Sequence, residues 1–485
     1  MHHLKSLFLF IFLLSLVGVN AQNKKNPVRD EKVAMSSAID SKYEKYKAMA
    51  LQVWDFAELG YQEVKSSTLL QNALAEEGFT IQNGVAGIPT AFVASYGAGS
   101  PVIGILGEFD ALPGLSQAAE PIRKPFMGKA AGHACGHHLF GVGSLATAVE
   151  IKNLIKAGKI KGTIQFFGTP AEEGGSGKVY MVREGLFDKV DVVVHWHPSD
   201  GNSSNPSSSL ANISAKFRFY GQSAHAAVSP FRGRSALDGV EAMNHMVNLM
   251  REHVNEKTRI HYVITDGGKA PNVVPDFAEV YYYVRHPDRE EVRNLWARVI
   301  KAAEGAALGT ETRMEYEIIG GVYNLLPLES LAEVMHANLT EVGGVSYTAA
   351  EITFAEKIRE TFATADIPAI TSAQKIDPYK VENRSGGSTD VGDISWAVPT
   401  VGLRTATWVP GTASHSWQAV ACGGTDLGIK GMLVASKTMA MMAYDLFTQP
   451  ALISKAKAEF DNVRGVNFKY KALLGDRPPA LDYRQ

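Results

Sequence analysis

Four short motifs hold most of the residues able to do chemistry. Gly132-His133-Ala134-Cys135-Gly136-His137-His138 sets a cysteine and a histidine two positions apart. Residues at that spacing do not share a helix face. From a loop just ahead of a helix, however, both can point at one ion. A thiolate and a neutral imidazole suit zinc and related metals; the plainer alternative is a buried or reactive cysteine with incidental histidines. Thr169-Pro170-Ala171-Glu172-Glu173-Gly174-Gly175 follows an apolar run ending at Phe167. An isolated Glu-Glu reads as a solvated turn. Here adjacent side chains diverge, so one carboxylate can hold metal while the other reaches a bound water.

Two more motifs follow apolar runs: His195-Trp196-His197-Pro198 and Thr412-Ala413-Ser414-His415-Ser416-Trp417. A lone histidine is more often structural than a ligand. Four strand ends that each offer Cys, His or Glu weigh more together, because ligands of open α/β sheets gather at the carboxyl ends of strands. A fifth strand end, Gly107-Glu108-Phe109-Asp110-Ala111-Leu112-Pro113, carries Asp110. That acid can orient a metal-bound histidine through its other ring nitrogen, or merely cap a turn. His225, in Gly221-Gln222-Ser223-Ala224-His225-Ala226-Ala227, and Asn272, in Pro271-Asn272-Val273-Val274-Pro275, read as structural by themselves. Gly141-Val142-Gly143-Ser144 lacks the full phosphate-loop pattern and reads as close helix packing.

The elements that must position these residues alternate in type. Tyr43, Tyr46, Met49, Ala50, Val53, Trp54 and Ala57 recur at helical spacing, and residues 41–78 read as helix. Strands are expected at residues 101–106, 163–167, 190–194 and 398–403, with helices at 144–155 and 430–447. This alternation predicts an α/β fold with a mostly parallel sheet covered by helices. The middle differs: strands at 212–220, 278–285 and 313–319 interleave with helices at 237–253 and 290–307. We expect a small α+β, ferredoxin-like unit at residues 211–326, entered through a hinge at 202–209 and set inside a discontinuous domain of residues 22–210 and 327–485. The tail after Gln449 is expected only to pack on the surface.

The chain's 485 residues exceed one ordinary core, so two or three domains are expected. A formal net charge of −2 gives no electrostatic case for a nucleic-acid partner. The start of the chain has a charged Met1–Lys5, an apolar Leu7–Val19 and small residues ending at Ala21. That order reads as a signal peptide over residues 1–21 and an exported protein, periplasmic or secreted. The alternative, a membrane anchor, needs a run of about 20 apolar residues, and this one is shorter. No later segment looks able to span, so no membrane partner is expected. Residues 22–40 read as a loose lead-in. The two cysteines, Cys135 and Cys422, could pair in an exported protein, although the surroundings of Cys135 favour a metal.

Taken together, the chain resembles the metal-dependent aminoacylase/carboxypeptidase family of amidohydrolases over roughly residues 40–450. The likeness is carried by Gly132–His137, Pro170–Gly174, Ser388-Thr389-Asp390-Val391-Gly392-Asp393 and Gly411–Trp417. The last two point to the branch that acts on p-aminobenzoyl-glutamate. The resemblance implies a metal-dependent hydrolase domain with an inserted lid and dimerisation domain, and two divalent ions per chain, zinc or manganese. Cys135 would match the bridging ligand, with His137, Glu173, His197 and His415; His195 stays open beside His197. Glu172 would match the general base and Asp110 the acid behind a metal histidine. His225, reaching a partner's site, and Asn272 would touch substrate, and Arg285 a substrate carboxylate. The implied substrate is a small amide, an N-acyl or aminobenzoyl amino acid, and the implied assembly a homodimer, with a second kind of subunit also open in that branch. Dipeptides and N-acyl-amino acids are alternative substrates on the same scaffold. A non-catalytic binding protein would lack a base or ligand, and a structural zinc site would lack the spare carboxylate. The chain departs from relatives at His138, where others carry Asp, and at Glu108, where some carry a metal histidine.

Overall fold

The computed structural model describes residues 27–364, 366–381 and 386–484; the expected signal peptide lies outside them. In chain order the first strands are β1 (Thr80–Asn83), β2 (Phe92–Ala98) and β3 (Val102–Gly107). Two-residue β4 (Leu112–Pro113) and β5 (Ala131–Gly132) pair with each other. Then come β6 (Gly162–Gly168) and β7 (Val192–Ser199). Four strands of the insertion follow: β8 (Ala211–Tyr220), β9 (Arg259–Asp266), β10 (Phe277–His286) and β11 (Arg313–Val322). β12 (Thr400–Ala406) completes the set. The main sheet has the order β1-β2-β6-β3-β7-β12. From β6 to β12 its strands run parallel, and β1 and β2 form an antiparallel margin. The sheet is therefore mostly parallel, as the alternation of elements predicts.

Helices pack against that sheet. α1 (Pro27–Asp40), α2 (Tyr43–Phe56), α3 (Val64–Glu76) and α4 (His137–Lys156) precede the short α5 (Gly177–Arg183). α4 is buried along most of its length, its apolar middle, residues 139–149, running through the core. A Cβ on its Gly143 would stand 2.9 Å from Met432 and 3.1 Å from Trp196, so the glycine permits the close packing read from the sequence.

The insertion is a four-stranded antiparallel sheet of order β11-β8-β10-β9, backed by α6 (Ala236–Met250) and α7 (Arg289–Gly309). Along β10, Ala278, Val280, Tyr282 and Val284 are buried, while Tyr281, Tyr283 and Arg285 are only partly covered, the period of two expected of a strand. The rest of the chain adds α8 (Glu329–Val342), α9 (Ala349–Arg359), α10 (Val391–Ala397), α11 (Trp417–Gly423), α12 (Asp426–Thr448) and α13 (Pro450–Arg464).

Several expectations are corrected. Residues 27–40 are a helix, not a lead-in: Met35 and Ile39 are buried, and Lys32 donates to Asp445 Oδ2 at 2.7 Å and Asn338 Oδ1 at 2.8 Å. The helix expected over 41–78 is two helices parted at residues 57–63, where Ala57 takes φ 44°. α4 starts seven residues before Ser144, at His137. β7 runs through His195 and His197 rather than stopping before them. The insertion has a fourth strand, β9. Cys135 and Cys422 are both free, so no disulfide joins them. Beyond α13, the tail does more than cover a surface, as the site shows.

Candidate active site

The parallel strands end at one cavity, about 1150 Å³, lined by Cys135, Glu172, Glu173, His197, His415 and Arg285 among others. Gly136 separates Cys135 from His137 with φ 76°, a conformation glycine adopts without strain. A Cβ there would lie 2.6 Å from Pro198, so only glycine lets this loop approach the end of β7.

Each ring and carboxylate is aimed by a second contact. His137 Nδ1 lies 2.8 Å from Asp110 Oδ1, which turns its Nε2 inward to within 3.0 Å of Glu108 Oε2. Asp110's other oxygen accepts the Glu173 N–H at 2.9 Å. His197 Nδ1 donates to the Pro198 carbonyl at 2.7 Å, leaving Nε2 3.4 Å from Cys135 Sγ. His415, at φ 59°, is held by its N–H on the Ala134 carbonyl at 3.0 Å. Its Nε2 sits 3.1 Å from Glu173 Oε1.

These atoms form two triads that share one thiol: Cys135–His137–His197 and Cys135–Glu173–His415, each with donor atoms within 4.8 Å of one another. A third group, Glu108–His137–Glu172, overlaps at His137. His137 Nε2, Glu173 Oε1 and Glu108 Oε2 are buried without a hydrogen bond. Sulfur, imidazole nitrogen and carboxylate oxygen converging with such unsatisfied atoms fit divalent transition metals. Among the described residues His195 joins none of these groups; its ring packs against Gly402 of β12.

Burial and crowded acids set the electrostatics of the cavity. Burial pushes the Cys135 thiol up, and it pushes His197 down, toward the neutral form that can ligate. Burial, with Glu108 and Glu173 nearby, raises the Glu172 carboxyl. Asp110 is held down to about 2, because His137 and two hydrogen bonds outweigh its burial. The buried counterweight is Lys178, whose Nζ lies 2.7 Å from both Glu108 Oε1 and Asp390 Oδ1.

The structure separates His225 and Asn272 from this cavity. They adjoin each other on the insertion, where the Ala226 N–H donates to the Asn272 carbonyl at 3.0 Å, and both are exposed. Arg285 lines the cavity from β10.

Sequence reasoning missed four residues here. Glu63 accepts the Ala171 N–H at 2.8 Å and so braces the peptide before Glu172; burial and Asp110 push it up to about 8. Lys178 opens the short α5 just after a Gly-rich stretch, with no pattern to mark it. Tyr483 and Arg484, from the tail, both donate to the Glu173 carbonyl. Only the order of chain segments in space brings these together, and no local spacing reports that.

Comparison with known proteins gives a consistent picture. The pattern of peptidase family M20/M25/M40 matches residues 104–419. The chain is 40% identical over 454 residues to a subunit of p-aminobenzoyl-glutamate hydrolase from Escherichia coli K12, covering 88% of this chain and 94% of that one. It is 28% identical to the mouse Xaa-Arg dipeptidase, over 87% and 90% of the two chains. Among solved structures, a dinuclear metal-binding peptidase of the M20 family from Bacillus subtilis superposes with a TM-score of 0.56 at 18% identity, covering 84% of this chain and 99% of that one. With the motif segments matched and the fold shared, this chain belongs to peptidase family M20/M25/M40 and is a metal-dependent hydrolase of C–N amide bonds.

Proposed function

We propose that the chain hydrolyses the amide bond of p-aminobenzoyl-glutamate or a closely similar N-acyl amino acid. The observation that carries this reading is the pair of triads sharing Cys135 with Glu172 beside them. Cys135, His137, Glu173, His197 and His415 would hold two divalent ions, zinc or manganese. Bound there, the ions would supply Lewis acidity and lower the pKa of water from about 15.7 toward 7. Glu172 takes a proton from the attacking water as its oxygen bonds to the amide carbon. Glu172 then gives that proton to the amide nitrogen as the C–N bond breaks, releasing a carboxylic acid and an amine. Asp110 keeps His137 turned inward, and Glu63 keeps the Glu172 loop in place. Arg285 would pair with a carboxylate of the amino-acid half.

His225 and Asn272 are too exposed to act within their own cavity, which supports a second copy delivering them across the inserted sheet. There His225 would donate to the substrate's carbonyl oxygen. The Escherichia coli relative is itself one subunit of its hydrolase, which supports a further, different subunit as partner. The residue order at 1–21 supports export from the cytoplasm. A second reading, dipeptide hydrolysis, is favoured by the likeness to the Xaa-Arg dipeptidase.

The deciding assay is release of glutamate from p-aminobenzoyl-glutamate, run beside a dipeptide panel, with zinc or manganese restored after chelation. Metal-restored cleavage of the first substrate supports the reading, and cleavage of dipeptides alone replaces it with the second. Glu172→Gln should cut turnover by about 100- to 10,000-fold while metal content per chain stays unchanged. Retained turnover would remove Glu172 from its role.

A further inference from the structure

Beyond α13 the chain returns to the cavity. Arg183 of α5 donates to the carbonyls of Gly475 at 3.0 Å and Arg477 at 2.8 Å, which guides the segment inward. Arg477 reaches Glu317 on β11 at 3.1 Å, so the same segment also ties to the inserted sheet. Tyr483 packs edge-on against Tyr61, with ring centroids 5.5 Å apart, and its hydroxyl donates to the Glu173 carbonyl at 3.1 Å.

Arg484 then lines the cavity that holds Glu172 and Glu173. One arm of its guanidinium donates to the Glu173 carbonyl, yet its Nε is buried with no hydrogen bond. Arg285, which lines the same cavity, also has a buried, unpartnered Nε, and its guanidinium stacks 5.0 Å over the Tyr283 ring. Tyr283 neighbours both: its ring lies beneath Arg285, and a Cβ on Gly174 would lie 3.8 Å from both Tyr283 Oη and Arg484 Nη2. Neither Nε has a hydrogen-bond partner among the described residues, and Asp110 is the carboxylate whose charge reaches Arg484. Two guanidiniums with spare, desolvated donors around one tyrosine call for an anion, since an unmade buried hydrogen bond of a charged group costs more than a neutral one.

We infer that Arg484 binds a second carboxylate of the substrate, distinct from the one paired with Arg285, so that the cavity selects dicarboxylic amino-acid amides. This deepens the proposed function and rests on it. It gives the tail a role in specificity, and a dipeptide with one carboxylate would leave Arg484 unpaired.

The test measures binding, not turnover. In the metal-loaded Glu172→Gln background, calorimetry compares p-aminobenzoyl-glutamate with its two monoamides, one amidated at the α-carboxylate and one at the side chain. Adding Arg484→Met should weaken p-aminobenzoyl-glutamate roughly 10- to 100-fold. The loss should vanish for one of the two monoamides, and Arg484→Lys should restore part of the affinity. Metal content per chain should not change. Equal losses on all three ligands, falling metal content, or no loss at all would overturn the inference and leave Arg484 only a brace on the Glu173 loop. Failure of the wild-type enzyme to cleave p-aminobenzoyl-glutamate, with charge-selective binding intact, would instead strike the proposed function alone.

Discussion

Asp110 serves two loops with one carboxylate: one oxygen fixes the His137 ring and the other holds the Glu173 backbone. A single acid thereby couples the two triads. The sequence showed Asp110 as a candidate orienter, because an acid at a strand end near histidines is a familiar pairing. It did not separate His195 from His197. Both point to the same side of β7, since residues two apart on a strand share a face. The choice depends on how far along the strand Pro198 meets Gly136, a tertiary contact. Asp393 shows a buried acid of another kind. Burial raises it to about 7, although Tyr323 N–H at 2.9 Å and Tyr470 Oη at 2.7 Å donate to it. An unfolded aspartate ionises near 3.9. Its raised folded pKa means the folded state binds the extra proton, so its contribution favours folding at low pH and is lost as pH rises through about 7. Asp393→Asn keeps the shape and removes the charge. The melting temperature of the variant should gain on the parent between pH 5 and pH 8. A difference that stays flat across that range would show that the buried charge is not at work.

Helix α4 places the site because its first residue is a ligand candidate and the rest is core. Gly136 is the hinge of that arrangement, and Gly136→Ala would meet both the positive φ and the side chain of Pro198. The variant should fold but bind metal about 10- to 100-fold more weakly, as changes behind a metal site commonly do. Chelator competition would measure this; undiminished affinity would mean the loop can open without cost. At this scale the legible elements were those with a long apolar run, such as α12 and β3, or with alternation, such as β6, β8 and β10. α1 was hidden because one of its three inward residues is Lys32, which reads as polar although it is buried against Asp445. β9 was hidden because it is an edge strand exposed along most of its length, so it shows no alternation. The break between α2 and α3 was hidden because it is set by tertiary burial, with Tyr61 and the charged Glu63 both facing inward.

At the scale of the molecule, β9 leaves an open sheet edge. Val263 on it is 55% exposed, and Leu249 on α6 is 60% exposed, which is much apolar surface for an unpaired edge. This supports self-association through the inserted unit, the arrangement that would also carry His225 to a second cavity. Val263→Lys should shift the protein toward monomer by light scattering, with a fall in kcat of about 100- to 1000-fold if the donor comes from the other copy. A fully active monomer would sink the idea that His225 acts across copies. The α/β class and the inserted unit were legible because they need only the order of strand and helix patterns. The wall made by the tail was not, because Tyr483 and Arg484 have no periodic context.

β12 pairs in parallel with β7 only after the whole insertion has intervened in the chain. His415 emerges late in synthesis, long after Cys135, and its backbone is then pinned to Ala134. In chain order, Cys135, His137 and His197 all precede the insertion, whereas the group with Glu173 takes its histidine from beyond it. The group that includes Glu173 can close only after β12 and the loop that follows it have been made.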